Sequence, residues 1–232
     1  MSFANTYTSP PTIVLAGVKS GSGKTLISLS IMAAFKMRGL NVQAFKAGPD
    51  FIDPGHHRAI LGKDSHTLDG WMLDQERCLR IFHRHSLGAD ICMVEGVMGL
   101  FDGASGKDET GSTAQLAKWL GAPVLLITDA SAMARSVAAL VQGFACFDPY
   151  LDVAGVVLNN VGSDSHKTLL KETLEDTPRP KLVGMVPKSP DLAVPSRHLG
   201  LLTAEDMGWR EEQIQGLADL AEEHIDLDAI LD

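Results

Sequence analysis

Nine residues, Gly17-Val-Lys-Ser-Gly-Ser-Gly-Lys-Thr25, constrain this chain more than any other segment, because a short β-branched run precedes them and a helical pattern follows. A glycine-rich turn between a buried strand and a helix can aim successive backbone N–H groups inward, with the positive end of the helix behind them. Such a turn cradles phosphate. Gly17, Ser20, Gly21, Ser22 and Gly23 would form the cradle, Lys24 would reach the β- and γ-phosphates, and the Thr25 hydroxyl would ligate Mg²⁺. The segment therefore predicts binding of ATP with Mg²⁺.

A phosphate loop of this kind needs a parallel sheet behind it. Apolar runs at Thr12–Ala16, Asn41–Phe45, Ile91–Val94, Pro123–Thr128, Val153–Leu158 and Leu182–Val186 lack polar alternation, the mark of strands buried on both faces. Helical patterns lie between and after them at Lys24–Arg38, Asp74–His85, Thr113–Leu120, Ala134–Phe144, Ser165–Glu175 and Arg210–His224. Gly39 and Gly121 follow two of these as stops. The alternation predicts an α/β fold with a doubly wound, mostly parallel sheet, whose ligand crevice opens at the carboxyl ends of the strands. At 232 residues, a single domain over 1–232 is the expectation. Pro187–Gly208 has neither period and reads as a functional loop.

A formal charge of −9 argues against a nucleic-acid partner, which would call for clustered Lys and Arg. Neither a signal segment in Met1–Thr12 nor a membrane-length apolar run is present, so a soluble cytoplasmic protein with a small-molecule partner is expected. Cys78, Cys92 and Cys146 stand far apart and read as buried core thiols.

Magnesium requires oxygen ligands near the phosphates, and strand ends deliver them there. Glu95, ending the run Ile91–Val94 before a turn-rich Gly-Val-Met-Gly-Leu-Phe-Asp-Gly, occupies the position of a metal-binding acid. Asp50 and Asp53 follow Lys46 in Lys-Ala-Gly-Pro-Asp-Phe-Ile-Asp-Pro-Gly-His-His, where Pro and Gly predict a tight loop facing the same crevice. Adjacent histidines rarely converge on one ion, so His56 and His57 read as substrate contacts or exposed side chains.

Five segments together, Phe45–His57, Leu68-Asp-Gly-Trp-Met72, Val94–Gly103, Ser112–Lys118 and Arg197-His-Leu-Gly-Leu201, resemble the N-terminal synthetase domain of the cobyrinic acid a,c-diamide synthase family, over nearly the whole chain. The leading Gly17 stands one residue earlier than in the commonest phosphate loop, which likewise resembles the dethiobiotin synthetase and partition ATPase branch of P-loop NTPases. The resemblance implies phosphorylation of corrinoid side-chain carboxylates by ATP, followed by displacement of phosphate by ammonia. It implies Thr25 and Glu95 as magnesium ligands with Asp50, and Asp50, Asp53 and Asp102 at the acyl-phosphate centre. Lys24 and Lys46 would gather phosphate and carboxylate, and Asn159 would read the adenine.

Full-length members carry a C-terminal glutamine amidotransferase domain, and no cysteine here lies in a nucleophile elbow. The expectation is that ammonia comes from a separate glutaminase domain or subunit. The acceptor stays open among cobyrinic acid, hydrogenobyrinic acid and a nickel-sirohydrochlorin precursor. An alternative reading is a nucleotide-switched partition or positioning ATPase, a possible homodimer, favoured by Lys19 two residues after Gly17. Against it stand the acids of Lys46–His57 and the acidic helix Arg210–His224, which lacks a basic face for an anionic membrane. A carboxylating synthetase of the dethiobiotin kind shares the fold but not the long motifs.

Overall fold

The computed structural model describes residues 10–175, 177, 179–189 and 203–231. Seven strands form one sheet: β1 (Thr12–Gly17), β2 (Val42–Ala47), β3 (His66–Leu68), β4 (Ile91–Gly99), β5 (Val124–Asp129), β6 (Val153–Val161) and β7 (Lys181–Pro187). Their order is β3-β2-β4-β1-β5-β6-β7, and every neighbouring pair is parallel. Burial on both faces follows, as the unalternating apolar runs demand. Along β1, Val14 and Ala16 enter one core and Ile13 and Leu15 the other.

Helices cover both sides. The first core receives α3 (Gln75–Ser86), α4 (Thr113–Leu120), α5 (Ser136–Phe147) and α6 (Asp164–Glu175). The second receives α1 (Lys24–Met37), α2 (Ile52–Leu61) and α8 (Glu211–His224). Ile27, Ile31, Met32 and Phe35 of α1 are fully buried there, each contributing about 1.5–3 kcal/mol of apolar burial. Two short helices complete the count of described elements, α7 (Ala204–Met207) and α9 (Asp228–Leu231). The chain leaves β1 through α1 on one face and β4 through α4 on the other. Connections that part in opposite directions from adjacent strands open the crevice between them.

Several expectations need correction. The segment after Asp50 is not a tight loop but α2, with Asp53 in its first turn. Pro54 is tolerated there because the first-turn N–H groups have no intrahelical partner. Strand β4 does not stop at Val94; it continues to Gly99, with Glu95 inside it. Asn159 likewise lies within β6 rather than at its end. Within Pro187–Gly208, the capped turn Thr203–Met207 forms α7. The Arg197–Leu201 motif and most of the N-terminal segment lie outside the described residues. Helix α8 is acidic, as read, but buries Leu217, Ala218, Leu220 and Ala221. No described helix is long and apolar enough to cross a membrane.

Candidate functional site

The phosphate loop is held from below and from the side. Ser22 Oγ donates to the Lys19 carbonyl (2.5 Å) and accepts from the Lys19 N–H (3.2 Å), closing the turn on itself. Gly23 adopts φ of 93°, and a side chain there would come within 2.0 Å of Asn159 Nδ2, which donates to the Ser22 carbonyl at 3.1 Å. Only glycine fits between the loop and β6. Asn159, expected at the adenine, thus braces the loop with its amide nitrogen. A side chain at Gly17 would meet Ser22 Oγ at 2.9 Å and Lys24 Cγ at 3.0 Å, so the inside of the cradle has room for backbone alone. Lys24 Nζ donates to the carbonyls of Met98 (2.6 Å) and Lys19 (3.4 Å). Ser20 and Gly21 form the exposed tip, and Lys19 beside them is exposed as well.

Beyond the loop lies a buried charge cluster that the sheet register dictates. Lys46 of β2 pairs directly opposite Glu95 of β4, and Glu95 pairs with Leu15 of β1, two residues before the loop. Glu95 Oε1 accepts from Thr25 Oγ1 at 2.9 Å and from Lys46 Nζ at 3.1 Å. Its Oε2 lies 2.8 Å from His57 Nε2, whose Nδ1 lies 2.9 Å from Ser65 Oγ. Lys46 Nζ also reaches Asp53 Oδ2 at 2.6 Å and the Gly96 carbonyl at 2.8 Å. Lys46, Asp53, His57 and Glu95 are all buried.

Burial and charge then separate the two acids. Burial alone would raise the Glu95 pKa, but the Lys46 ammonium outweighs it, aided by His57 and Thr25, and holds the carboxyl well below its usual range. For Asp53 burial prevails: with the Glu95 charge added, it pushes the carboxyl up to about 6 against the pull of Lys46. Burial would lower Lys46, yet Glu95 and Asp53 keep it above its ordinary value. One acid stays ionised and its neighbour holds a proton to near neutrality, an arrangement suited to reacting centres.

This has a consequence for stability. Below pH 3.8, the ordinary value of the group, Asp53 is protonated both folded and unfolded; between that value and about 6 only the folded chain keeps the proton. The unfolded state binds fewer protons in that window, so this group's contribution falls as pH rises through it. Asp53→Asn removes the term, and a shift of about two units corresponds to roughly 3 kcal/mol at most. The melting temperature of the variant relative to the parent should therefore climb from pH 4 to pH 7, by about 6–12 °C at most. Calorimetric scans across that range measure it, and a difference independent of pH would overturn the assignment.

The remaining candidates are less closely gathered. Asp50 Oδ1 accepts from Ile52 N (2.9 Å) and Asp53 N (3.3 Å), fixing the start of α2 at the cluster's edge. Asp102 is exposed, and its Oδ2 accepts from Gly99 N at 2.9 Å; the Leu100 N–H in turn donates to the Gly17 carbonyl (2.8 Å). Asp102 therefore sits at the mouth beside the phosphate loop. Among the described residues no group of three or more His, Cys, Asp or Glu is placed to hold a metal ion. Thr25 Oγ1 and Glu95 Oε1 lie 2.9 Å apart, and an oxygen pair of this kind suits Mg²⁺, which is commonly held by one or two protein oxygens together with phosphates.

The histidines depart from expectation too. Both are buried, and they diverge because successive helical residues point about 100° apart. His57 faces Glu95, whereas His56 Nδ1 accepts from Trp209 Nε1 at 3.0 Å. Thr113, absent from the candidate set, fastens β4 with its hydroxyl on Val97 N (3.0 Å) and Val97 O (3.2 Å). Cys78 and Cys92 are core thiols as read, with burial pushing Cys92 up to about 12, but Cys146 is exposed on α5.

Residues 13–202 match the family described as the CobQ/CobB/MinD/ParA nucleotide binding domain. The chain is 44% identical over 220 residues to the cobyrinate a,c-diamide synthase of Listeria monocytogenes, covering 94% of this chain and 49% of the relative. It is 47% identical over 222 residues to the protein of that name from Syntrophotalea carbinolica, covering 96% and 48%. The chain thus spans about half the length of the curated relatives it matches. Among solved structures, chloroplast FtsY from Physcomitrella patens aligns with a TM-score of 0.54 at 13% identity, over 96% of this chain and 66% of that one, a likeness of fold alone.

Proposed function

The chain belongs to the CobQ/CobB/MinD/ParA nucleotide-binding family, and from that premise we propose that it is the synthetase part of an ATP- and Mg²⁺-dependent amide ligase acting on a corrinoid polycarboxylate of the cobyrinate type. The observation that carries this reading is the buried cluster Thr25–Glu95–Lys46–Asp53, which joins the phosphate loop to a carboxylate-handling centre. A nucleotide switch has no use for Lys46 and Asp53 beyond the metal pair. The switch reading rests on Lys19 alone.

In this proposal the loop N–H groups and Lys24 orient the triphosphate, and Asn159 meets the adenine edge. Thr25 and Glu95 hold Mg²⁺, which would supply charge neutralisation between the phosphates and the incoming acid. Lys46 draws the acceptor carboxylate toward the γ-phosphate, with Asp50, Asp53 and Asp102 around it. A carboxylate oxygen bonds to the γ-phosphorus as the bond to the β-phosphate oxygen breaks, giving an acyl phosphate and ADP. Ammonia then attacks the acyl carbon, loses a proton and expels phosphate. Two anions must approach each other in this chemistry, so positioned cations dominate the barrier. The nitrogen would come from a glutaminase domain or subunit, the setting would be the cytoplasm, and a homodimer is compatible with it.

Supplied with ATP, Mg²⁺ and cobyrinic acid, the chain should form amide with free ammonium and not with glutamine. The rate with ammonium should rise with pH, because the free amine is the nucleophile. Mass spectrometry of the tetrapyrrole reads the acid-to-amide exchange. Amide from glutamine by this chain alone would overturn the domain assignment. Failure with ammonium on cobyrinic, hydrogenobyrinic and nickel-sirohydrochlorin acceptors would overturn the ligase reading.

A further inference from the structure

The turn Leu68-Asp-Gly-Trp-Met72 takes no part in the phosphate and carboxylate chemistry above. It is nevertheless built at a cost. Asp69 is 6% exposed, and its Oδ1 accepts from the backbone N–H groups of Trp71 (2.9 Å) and Met72 (3.3 Å). Its Oδ2 is buried with no hydrogen-bond partner among the described residues. A half-satisfied acid away from water is unfavourable, so the shape it enforces calls for a use. That shape holds Trp71 67% exposed and Met72 66% exposed, just past the carboxyl end of β3. Trp71 rests one flank on Gly111, where an added side chain would come 3.1 Å from Trp71 Cβ. The base of the Trp71 side chain therefore packs against the loop that follows Asp102.

Two other large apolar side chains stand exposed at the same end of the neighbouring strands. Phe51, 80% exposed, follows β2 directly after Asp50, and Met98, 41% exposed, lies near the end of β4 in a left-handed conformation with φ of 49°. The Met98 carbonyl is the one that accepts from Lys24. Strands β3, β2 and β4 are consecutive in the sheet, so their ends span about 10 Å at the usual strand spacing. Four large apolar groups thus border the acids on the side of the crevice away from β5. Large apolar side chains left exposed at the carboxyl ends of adjacent strands suit a binding surface. Here it adjoins a centre that draws in a carboxylate.

Resting on the ligase reading, we infer that Phe51, Trp71, Met72 and Met98 form the seat for the apolar body of the acceptor, a flat ring whose carboxylate arm enters the Lys46–Asp53 cluster. An indole offers a rigid stacking face, and two thioethers adapt to an irregular ring edge. A small hydrophilic acid would leave this surface without an occupant. Asp69 acts as a positioning residue for the seat.

Calorimetric titration of the full chain with cobyrinic acid tests the seat, with ATP and Mg²⁺ titrated in parallel. Trp71→Ala should weaken cobyrinic acid about tenfold and leave ATP affinity unchanged, while Trp71→Phe should recover most of the loss. In turnover the KM for cobyrinic acid should rise with kcat retained. Should Trp71→Ala also lose ATP affinity, Phe51→Ala and Met72→Ala decide by the same criterion. Wild-type affinity for cobyrinic acid in these variants would overturn the seat and leave the ligase reading standing, provided the parent forms amide. A parent chain that neither binds nor amidates the acceptor would overturn both.

Discussion

Lys24→Ala is expected to abolish Mg²⁺-dependent ATP binding while leaving the fold intact. In the structure the ammonium is held by two backbone carbonyls, Met98 O near the end of β4 and Lys19 O in the phosphate loop. A phosphate can replace those carbonyls without disturbing the core, because the packed part of α1 starts at Ile27. Charge-assisted hydrogen bonds contribute about 1.5–3 kcal/mol each, so losing two of them lowers affinity by at least about a hundredfold. Thr25→Ala removes the hydroxyl that meets Glu95 Oε1 and should lose the Mg²⁺ dependence in particular. Calorimetric titration with ATP, with and without Mg²⁺, separates the two effects. Unchanged affinity in both variants would remove Gly17–Thr25 from the nucleotide site.

The phosphate loop and six of the seven strands were legible because each follows from a local rule, whereas the three-residue edge strand β3, His66–Leu68, is too short to show a run. Buried parallel strands read as unbroken apolar runs, and a loop of glycines between strand and helix leaves few alternatives. Helix α2 was not legible, although its buried residues Asp53, His56, His57 and Ile60 recur at a helical period. Three of the four are polar, so a hydrophobic period is silent there, and Pro54-Gly55 imitates a turn. The same polar face carries the part of the site that sequence reasoning missed, since His57 reaches Glu95 only across 38 residues of chain. Lys46 and Glu95 could be named as candidates, but their direct pairing depends on the register of β2 against β4. Helix α5 shows the converse. Its uncharged sequence suggests deep burial, yet only Val137 and Val141 are buried, so Cys146 ends at the surface. Periodicity reports which residues could face a core and not how much core there is to face.

Asp53→Asn is expected to lower turnover by about a hundredfold or more, with the KM for ATP changed less than about twofold. The Asp53 carboxyl meets Lys46 at 2.6 Å, and Lys46 in turn meets the Glu95 oxygen that accepts from Thr25. An acid in that position acts on the cation proposed to gather the acceptor carboxylate, so its loss falls on the transition state more than on nucleotide binding. Asparagine keeps the volume and the oxygen but cannot carry the charge that balances Lys46. With Glu95 held ionised and buried beside it, the ammonium would then be drawn toward Glu95 and away from the incoming acid. The stability of the same variant relative to the parent is expected to climb as pH rises from 4 to 7, because the buried acid pushed up to about 6 no longer has to ionise there. Steady-state kinetics with ammonium and a corrinoid acceptor, paired with thermal scans of the same preparations, measure both. A raised KM for ATP with turnover preserved would place Asp53 with the nucleotide, and a stability difference that does not change with pH would take the retained proton away from Asp53.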